Sequence, residues 1–483
     1  MKWTPSLRIL EGKLFWQVAI FGAPLAIGMG LQNLFNLVDA YLVGRLPKAE
    51  VASAIGAIGM CDLLAAIGTI VCYGISTATS TIIAQRVGAK DHTGVERAMW
   101  QSTLLVGIVA MVFAGFAIVF AGPLITYVMG AKGAVRTLAT SYLRVLVGGS
   151  GTIFFLLHFS SIFRALGSSK TPAAMLVAGN ALNVLFAAAV MFDPVSGPAF
   201  ARPLASLAHS IGLSTMGLPG AAWATVVARA LALIPLTVLL FSRFRFVLPS
   251  KGSRGLEGKE IRTILSVAWP ASSQFVLRIS AMLVTNAIVA HYFTTEFDQT
   301  ASTAMGLVFR VDTLALFLAL GWGSAAQTFV AQNLGANNTE RAVRAGWITV
   351  LFDAFTNAAI LILLSSFGIR ILRLFGDDPG ALAIASAYLR IMLWSYLPLG
   401  VGIVLGLAMA GAGAMKATLM IDLVVLGLIQ LPLSIVAART GSMTNLFLGV
   451  AATQAFAALF YVFWYKRRSW TRSYKPIDRI VSA

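Results

Sequence analysis

Residues 84–100 read AQRVGAKDHTGVERAMW, and residues 331–347 read AQNLGANNTERAVRAGW. Both stretches carry Ala-Gln-x-x-Gly-Ala, then Arg-Ala and a tryptophan in the same register. Working outward at an offset of 246–247, Pro24 meets Pro270, Gly130 meets Gly376, and Tyr142-Leu143-Arg144 meets Tyr388-Leu389-Arg390. Lys170 meets Lys416. One such pair could arise by chance, but an ordered series at a nearly constant offset marks an internal duplication.

The duplicated unit is a set of membrane spans. Of the 483 residues 58% are hydrophobic and 11% charged, with a mean hydropathy of +0.84, whereas soluble domains are about 25% charged. The apolar residues come in runs of about 20 or more, enough for roughly 30 Å of hydrocarbon. A window of about 19 residues predicts twelve helices, at 15–43, 51–85, 100–121, 138–163, 172–192, 217–241, 264–292, 302–332, 346–366, 381–408, 418–438 and 446–465. Each repeat holds six spans, so the halves enter the membrane in the same sense, related by an axis along its normal. The expected fold is an all-α polytopic membrane protein of two parallel six-helix lobes forming a V-shaped alternating-access body. Its divisions are an N-lobe at 14–241, a linker at 242–263, a C-lobe at 264–465 and a basic tail at 466–483.

The charge follows the topology. The chain has 36 Lys+Arg against 18 Asp+Glu; 23 of the basic residues fall on the side holding both ends, 8 on the other and 5 inside spans. By the positive-inside rule, both termini are expected in the cytoplasm and the protein in the cytoplasmic membrane. No folded domain is left to offer a basic face to nucleic acid, so that partner is not expected. Anionic lipid headgroups are a secondary one.

Familiar catalytic signals are missing. There is no phosphate-binding loop, dinucleotide glycine loop or nucleophile elbow, so no enzyme and no cofactor is expected. His92, His158, His209 and His291 lack metal-ligand spacing. Cys61 and Cys72, about 16 Å apart along one helix, cannot join.

Polar groups inside the spans carry the functional signal, because lipid cannot satisfy them. Asp39 lies late in helix one, beyond the helix-bending Pro24, and shares a face with Gln32 and Asn36. Removal from water disfavours a charged carboxylate. Asp39 can therefore hold a proton or, when ionised, retain a cation. Arg278 follows Pro270 by eight residues, and helix eight carries Arg310 and Asp312. A guanidinium at that depth needs an acid, and Asp312 is the expected partner, in a structural pair or a C-lobe gate. Asp353 and Asp422 fall within two turns of the basic ends of their spans, which reads them as interfacial acids. Asp62 is placed within helix two without an assigned role.

These residues together resemble the multidrug and toxic compound extrusion (MATE) family, over about residues 14–465. The resemblance rests on Pro24, the Asn36-x-x-Asp39-x-x-x-x-Gly44 pattern, the twin Ala-Gln-x-x-Gly-Ala motifs and the Tyr-Leu-Arg pairs. Asn180-x-x-Asn183 in helix five and Gly220-Ala221-Ala222-Trp223-Ala224-Thr225 entering helix six complete it. It implies a cation-coupled drug exporter, closer to the DinF-like branch than to the NorM-like one. Carried over residue by residue, it implies a coupling site of Asp39, Asn183 and Thr225 with Asn36 and Asn180 beside it. A second acid of the DinF-like site falls at Ala187, and the acids of the NorM-like C-lobe site fall at Arg278 and Leu399. One remaining carboxylate suits a proton better than a dehydrated sodium ion.

The expected function is antiport of protons, with sodium the other coupling ion, against amphipathic and cationic small molecules, by a monomer. The alternative is a flippase for lipid-linked sugars or another anionic lipid of the same superfamily, with Arg278 and Arg310 lining the cavity.

Overall fold

The computed structural model describes residues 7–244, 255–295, 297–373 and 378–474. Among them, twelve helices are long and apolar enough to cross a bilayer. The first six are α1 Leu14–Val43, α2 Ala49–Gly88, α3 His92–Val128, α4 Gly133–Ala165, α5 Lys170–Met191 and α6 Gly217–Ser242. The second six are α7 Gly258–Phe293, α8 Thr300–Gly335, α9 Thr339–Arg373, α10 Pro379–Gly411, α11 Met415–Arg439 and α12 Met443–Lys466.

Several helices outrun their apolar windows. α3 begins at His92 rather than 100, α9 at Thr339 rather than 346, and α7 at Gly258, inside the stretch read as linker. Hydropathy registers only the hydrocarbon layer, whereas a helix continues until its backbone donors are capped. Asp91 accepts from the Gly94 N–H at 2.9 Å ahead of α3, and Asp378 from the Gly380 N–H at 2.9 Å ahead of α10. Residues 245–254 of the linker and 475–483 of the tail lie outside the described residues. The tail's described part is docked: Trp470 is buried and stacks on Tyr465 at 4.6 Å, and Arg468 pairs with Glu340 of α9.

The halves are cross-braced by their first helices. α1 packs on α5 of its own half and on α8 of the other; α7 packs on α11 and on α2. Pro24 and Pro270 sit inside these two helices. The repeated motif is where the halves cross. A Cβ on Gly88 would stand 2.0 Å from the Gln332 carbonyl oxygen, and one on Gly335 2.0 Å from the Gln85 carbonyl oxygen. Only a residue with no side chain lets the two backbones meet at that distance. The glutamines then reach across: Gln85 Nε2 donates to the Gly411 carbonyl ending α10 at 2.8 Å, and Gln332 Nε2 to the Ala165 carbonyl ending α4 at 2.7 Å. Arg86 adds a bidentate pair with Glu260 of α7, at 2.6 and 3.0 Å. All of these ties lie toward the face where α1 begins, the more basic face by sequence.

The rim of the bundle is apolar. Met111, Val112, Phe116 and Val119 on α3 and Ile362, Leu363 and Phe367 on α9 are exposed, as suits a lipid-facing belt. Inside, α10 is the central helix of the second half, burying Tyr388, Met392, Tyr396, Val404 and Met409.

Candidate functional site

Asp39 lies four residues before the end of α1, where the helix passes α5. Asn183 of α5 is buried, and its Nδ2 donates to both carboxylate oxygens of Asp39, at 2.9 and 2.7 Å. The Thr225 hydroxyl of α6 stands 3.0 Å from Asn183 Oδ1 and 2.8 Å from the Ala221 carbonyl, so its single proton serves either acceptor. Three residues read from the sequence thus form one chain, with a neutral amide on the carboxylate. Among the described residues no cation is salt-bridged to Asp39.

The other residues expected here are placed differently. Asn180 is half-buried on α5 and makes no hydrogen bond to Asp39. The side chain of Asn36 lies outside the described residues. Ala187, one turn beyond Asn183, is packed in the core at 2% exposure, so an apolar contact stands at the second-acid position. Sequence reading passed over Arg229, which acts electrostatically on Asp39 and on Asp62 of α2. The available signal was its position on α6, four residues after Thr225 and therefore on the same helical face.

In the second half, the expected pairing of Arg278 with Asp312 is wrong. Arg278 Nε donates to Asp422 Oδ2 at 2.7 Å and Nη2 to Oδ1 at 3.2 Å. Gln274 Nε2 at 2.9 Å and the Tyr461 hydroxyl at 2.7 Å complete the shell around Asp422. Asp312 instead accepts from the hydroxyls of Tyr388 and, at 2.6 Å, Tyr396. The reason is helix adjacency: α7 lies along α11, while α8 makes its most extensive contact with α10. The side chain of Arg310 lies outside the described residues. Nor do Asp422 and Asp353 reach out to headgroups, since both side chains are buried within the protein. Asp422 is 2% exposed and Asp353 0%, the latter 14 residues into a helix that starts earlier than its hydropathy suggested.

Both C-half networks open on one cavity. Arg278, Asp312, Tyr388, Tyr396 and Asp422 line it beside Phe275, Met282, Met305 and Met392, and Tyr73 and Thr77 of α2 close its N-half wall. Tyr73 stacks on Phe275 across the two halves, with ring centroids 4.8 Å apart. Aromatic and methionine walls with a few oriented polar groups suit ligands of varied shape. Among the described residues no group of His, Cys, Asp and Glu could hold a metal ion.

Twelve spans in two parallel repeats, a carboxylate chain in one half and an amphipathic cavity in the other, walled on one side by α2, define a polytopic membrane transporter. The MatE family model matches at residues 24–189 and again at 270–436. The chain belongs to this family, the multidrug and toxic compound extrusion transporters. It is 25% identical to the probable multidrug resistance protein YpnP of Bacillus subtilis (strain 168), over 95% of this chain and 96% of that protein. It is 24% identical to the probable multidrug resistance protein NorM of Thermotoga maritima, over 84% of this chain and 82% of that one. A solved structure of a MATE protein in complex with MaL6 superposes with a TM-score of 0.84 at 21% identity, covering 100% of both chains.

Proposed function

We propose that this multidrug efflux transporter exchanges inward-moving protons for amphipathic, cationic compounds, with Asp39 as the coupling carboxylate. The observation that carries this reading is the Asp39 environment: a carboxylate held by one neutral amide, without a salt-bridged cation, on the helix that packs on both halves. Such a group can accept a proton without first breaking an ion pair. Sodium is the weaker candidate, because Ala187 leaves the site with fewer oxygens than a hard cation takes.

The cavity's charge favours cations. Among the described lining residues, Arg278 is neutralised by Asp422, which leaves Asp312 as a surplus carboxylate against aromatic walls. That pairing counts against the anionic-lipid alternative, which needs a free guanidinium. The distribution of basic residues supports cytoplasmic termini and the cytoplasmic membrane as its place, and the proposed transporter is a monomer with no cofactor beyond the coupling ion.

The test is efflux of a cationic dye from proteoliposomes under an imposed pH gradient. Wild type should accumulate dye against its gradient and Asp39→Asn should not, while Arg278→Gln combined with Asp422→Asn keeps part of the activity. Equal transport by wild type and Asp39→Asn removes Asp39 from the coupling role, and sodium-driven efflux at constant pH replaces the proton.

A further inference from the structure

The repeat lets one half serve as a control for the other. In the N half, Val106 and Ala110 of α3 and Phe154 of α4 are buried in one apolar cluster. At the repeat offset these positions become Asp353 and Asn357 on α9 and Gly400 on α10. Asp353 and Asn357 are both 0% exposed. A Cβ at position 400 would stand 1.9 Å from Asp353 Oδ2 and 2.6 Å from Asn357 Nδ2, so the polar pair occupies the space of a missing side chain. Hydrocarbon fills the equivalent place in the N half. The fold itself therefore does not demand polarity there.

The pair is incompletely satisfied. Asn357 Nδ2 donates to Asp353 Oδ2 at 3.0 Å, but Asp353 Oδ1 and Asn357 Oδ1 have no partner. Among the described residues no cation is salt-bridged to Asp353. Among the described residues the helices packed on α9 offer none: Asp312 of α8 and Tyr388 and Tyr396 of α10 bond to one another, Arg390 of α10 is exposed, and Asp39 of α1 is held by Asn183; the side chain of Arg310 on α8 lies outside the described residues. A charged carboxylate left this way inside a protein is strongly disfavoured. Two buried acceptor oxygens without a donor, on side chains already hydrogen-bonded to each other, call for a proton or a small cation, and three oxygens fall short of the six or more that a hard cation takes. One proton on Asp353 removes the charge and turns its carboxyl into a donor.

We propose that Asp353 and Asn357, seated against Gly400, form a proton-binding site in the C half that takes part in the transport cycle. α10 links it to the cavity. Pro398 lies inside that helix, two residues before Gly400, and lines the cavity; its missing N–H makes it the point where α10 bends. The same helix carries Tyr388 and Tyr396, which hold Asp312. Bending at Pro398 moves Gly400 against α9 and opens the acid–amide pair for proton exchange. The site adds to the proton-coupled reading of Asp39, on which its use in transport rests, but its protonation is measured separately.

The experiment uses full-length protein in proteoliposomes: wild type, Asp353→Asn, Asp39→Asn, and Asp353→Val combined with Asn357→Ala, which puts the N-half residues at two of the three positions and keeps Gly400. Infrared spectra should show the carbonyl band of a buried protonated acid that both Asp353 variants lose, that Asp39→Asn retains, and that sodium leaves unchanged. Dye binding should be preserved in both Asp353 variants, while gradient-driven efflux falls about tenfold or more. The proposal is overturned if the band survives in Asp353→Asn, if sodium abolishes it, or if both variants transport like wild type. A double variant that does not fold overturns it too, by assigning the pair to folding. If wild type shows no proton-driven efflux, the Asp39 reading fails, yet the infrared band still decides whether Asp353 binds a proton.

Discussion

Asn183 is the residue on which the Asp39 chain turns, since it donates to both oxygens of Asp39 and accepts from Thr225. A hydrogen bond to a charged group contributes about 1.5–3 kcal/mol. Asn183→Ala should therefore lower efflux at a fixed pH gradient by roughly one to two orders of magnitude, at normal expression, as read by initial dye-efflux rates. Unchanged rates would reduce the amide to a packing element. Arg278 and Asp422 allow a sharper test. Removing one partner of a buried pair strands the other charge, at a cost of about 3–5 kcal/mol, whereas removing both is far milder. The melting temperature should fall in Asp422→Asn and recover in part in Arg278→Gln combined with Asp422→Asn; additive losses would show that the pair is not a unit. The Asp39 chain was legible because the family motif names its residues. The partner of Arg278 was not, because spacing along a helix says which face a residue shares but not which neighbouring helix meets that face.

At the scale of elements, the sequence marks each span through its apolar run but marks the start of α3 and α9 only through the capping side chains of Asp91 and Asn338, which is why both start earlier than expected; α7 starts early with no side-chain cap on Glu257. The repeated Ala-Gln-x-x-Gly-Ala stretch was visible as a pattern. Its purpose was not, since a crossing depends on two distant segments meeting. Gly88 and Gly335 now have a physical reason: a Cβ on either would overlap a backbone carbonyl rather than a movable side chain. Overpacking typically costs about 1–3 kcal/mol even where neighbours can shift. Gly88→Ala and Gly335→Ala should each spread α2 from α8 and weaken the Gln85 and Gln332 ties. Gly130→Ala is the control, because its Cβ meets nothing within 4 Å although its φ of 69° carries its own strain. Measured by thermal stability and by cross-linking across the α2–α8 crossing, both crossing variants should lose cross-linking yield. Full yield in either would mean that the helices can separate without cost.

For the whole molecule, the ties between halves decide which face of the cleft is shut. Gln85, Gln332, Thr81 with the Ala410 carbonyl, and the Arg86–Glu260 pair all lie toward the basic face, so in this structure the halves are latched there. Alternating access requires that latch to break once in each cycle. Arg86 and Glu260 are the charged members, with side chains 14% and 10% exposed, on helices of opposite halves. A partly buried bidentate pair of this kind holds the closed arrangement without fixing it, since its loss is offset by rehydration of both groups when the face opens. Glu260→Gln keeps the shape and one hydrogen bond while removing the charge. A loss of about 1.4 kcal/mol from the closed state shifts the closed-to-open ratio tenfold. Spin labels placed on the two halves at the basic face should therefore report a larger long-distance population in Glu260→Gln, with dye binding from that face strengthened and net efflux slowed because reclosure is less favourable. A distance distribution identical to wild type would show that the glutamine ties alone keep the face shut and that the ion pair is incidental to the cycle.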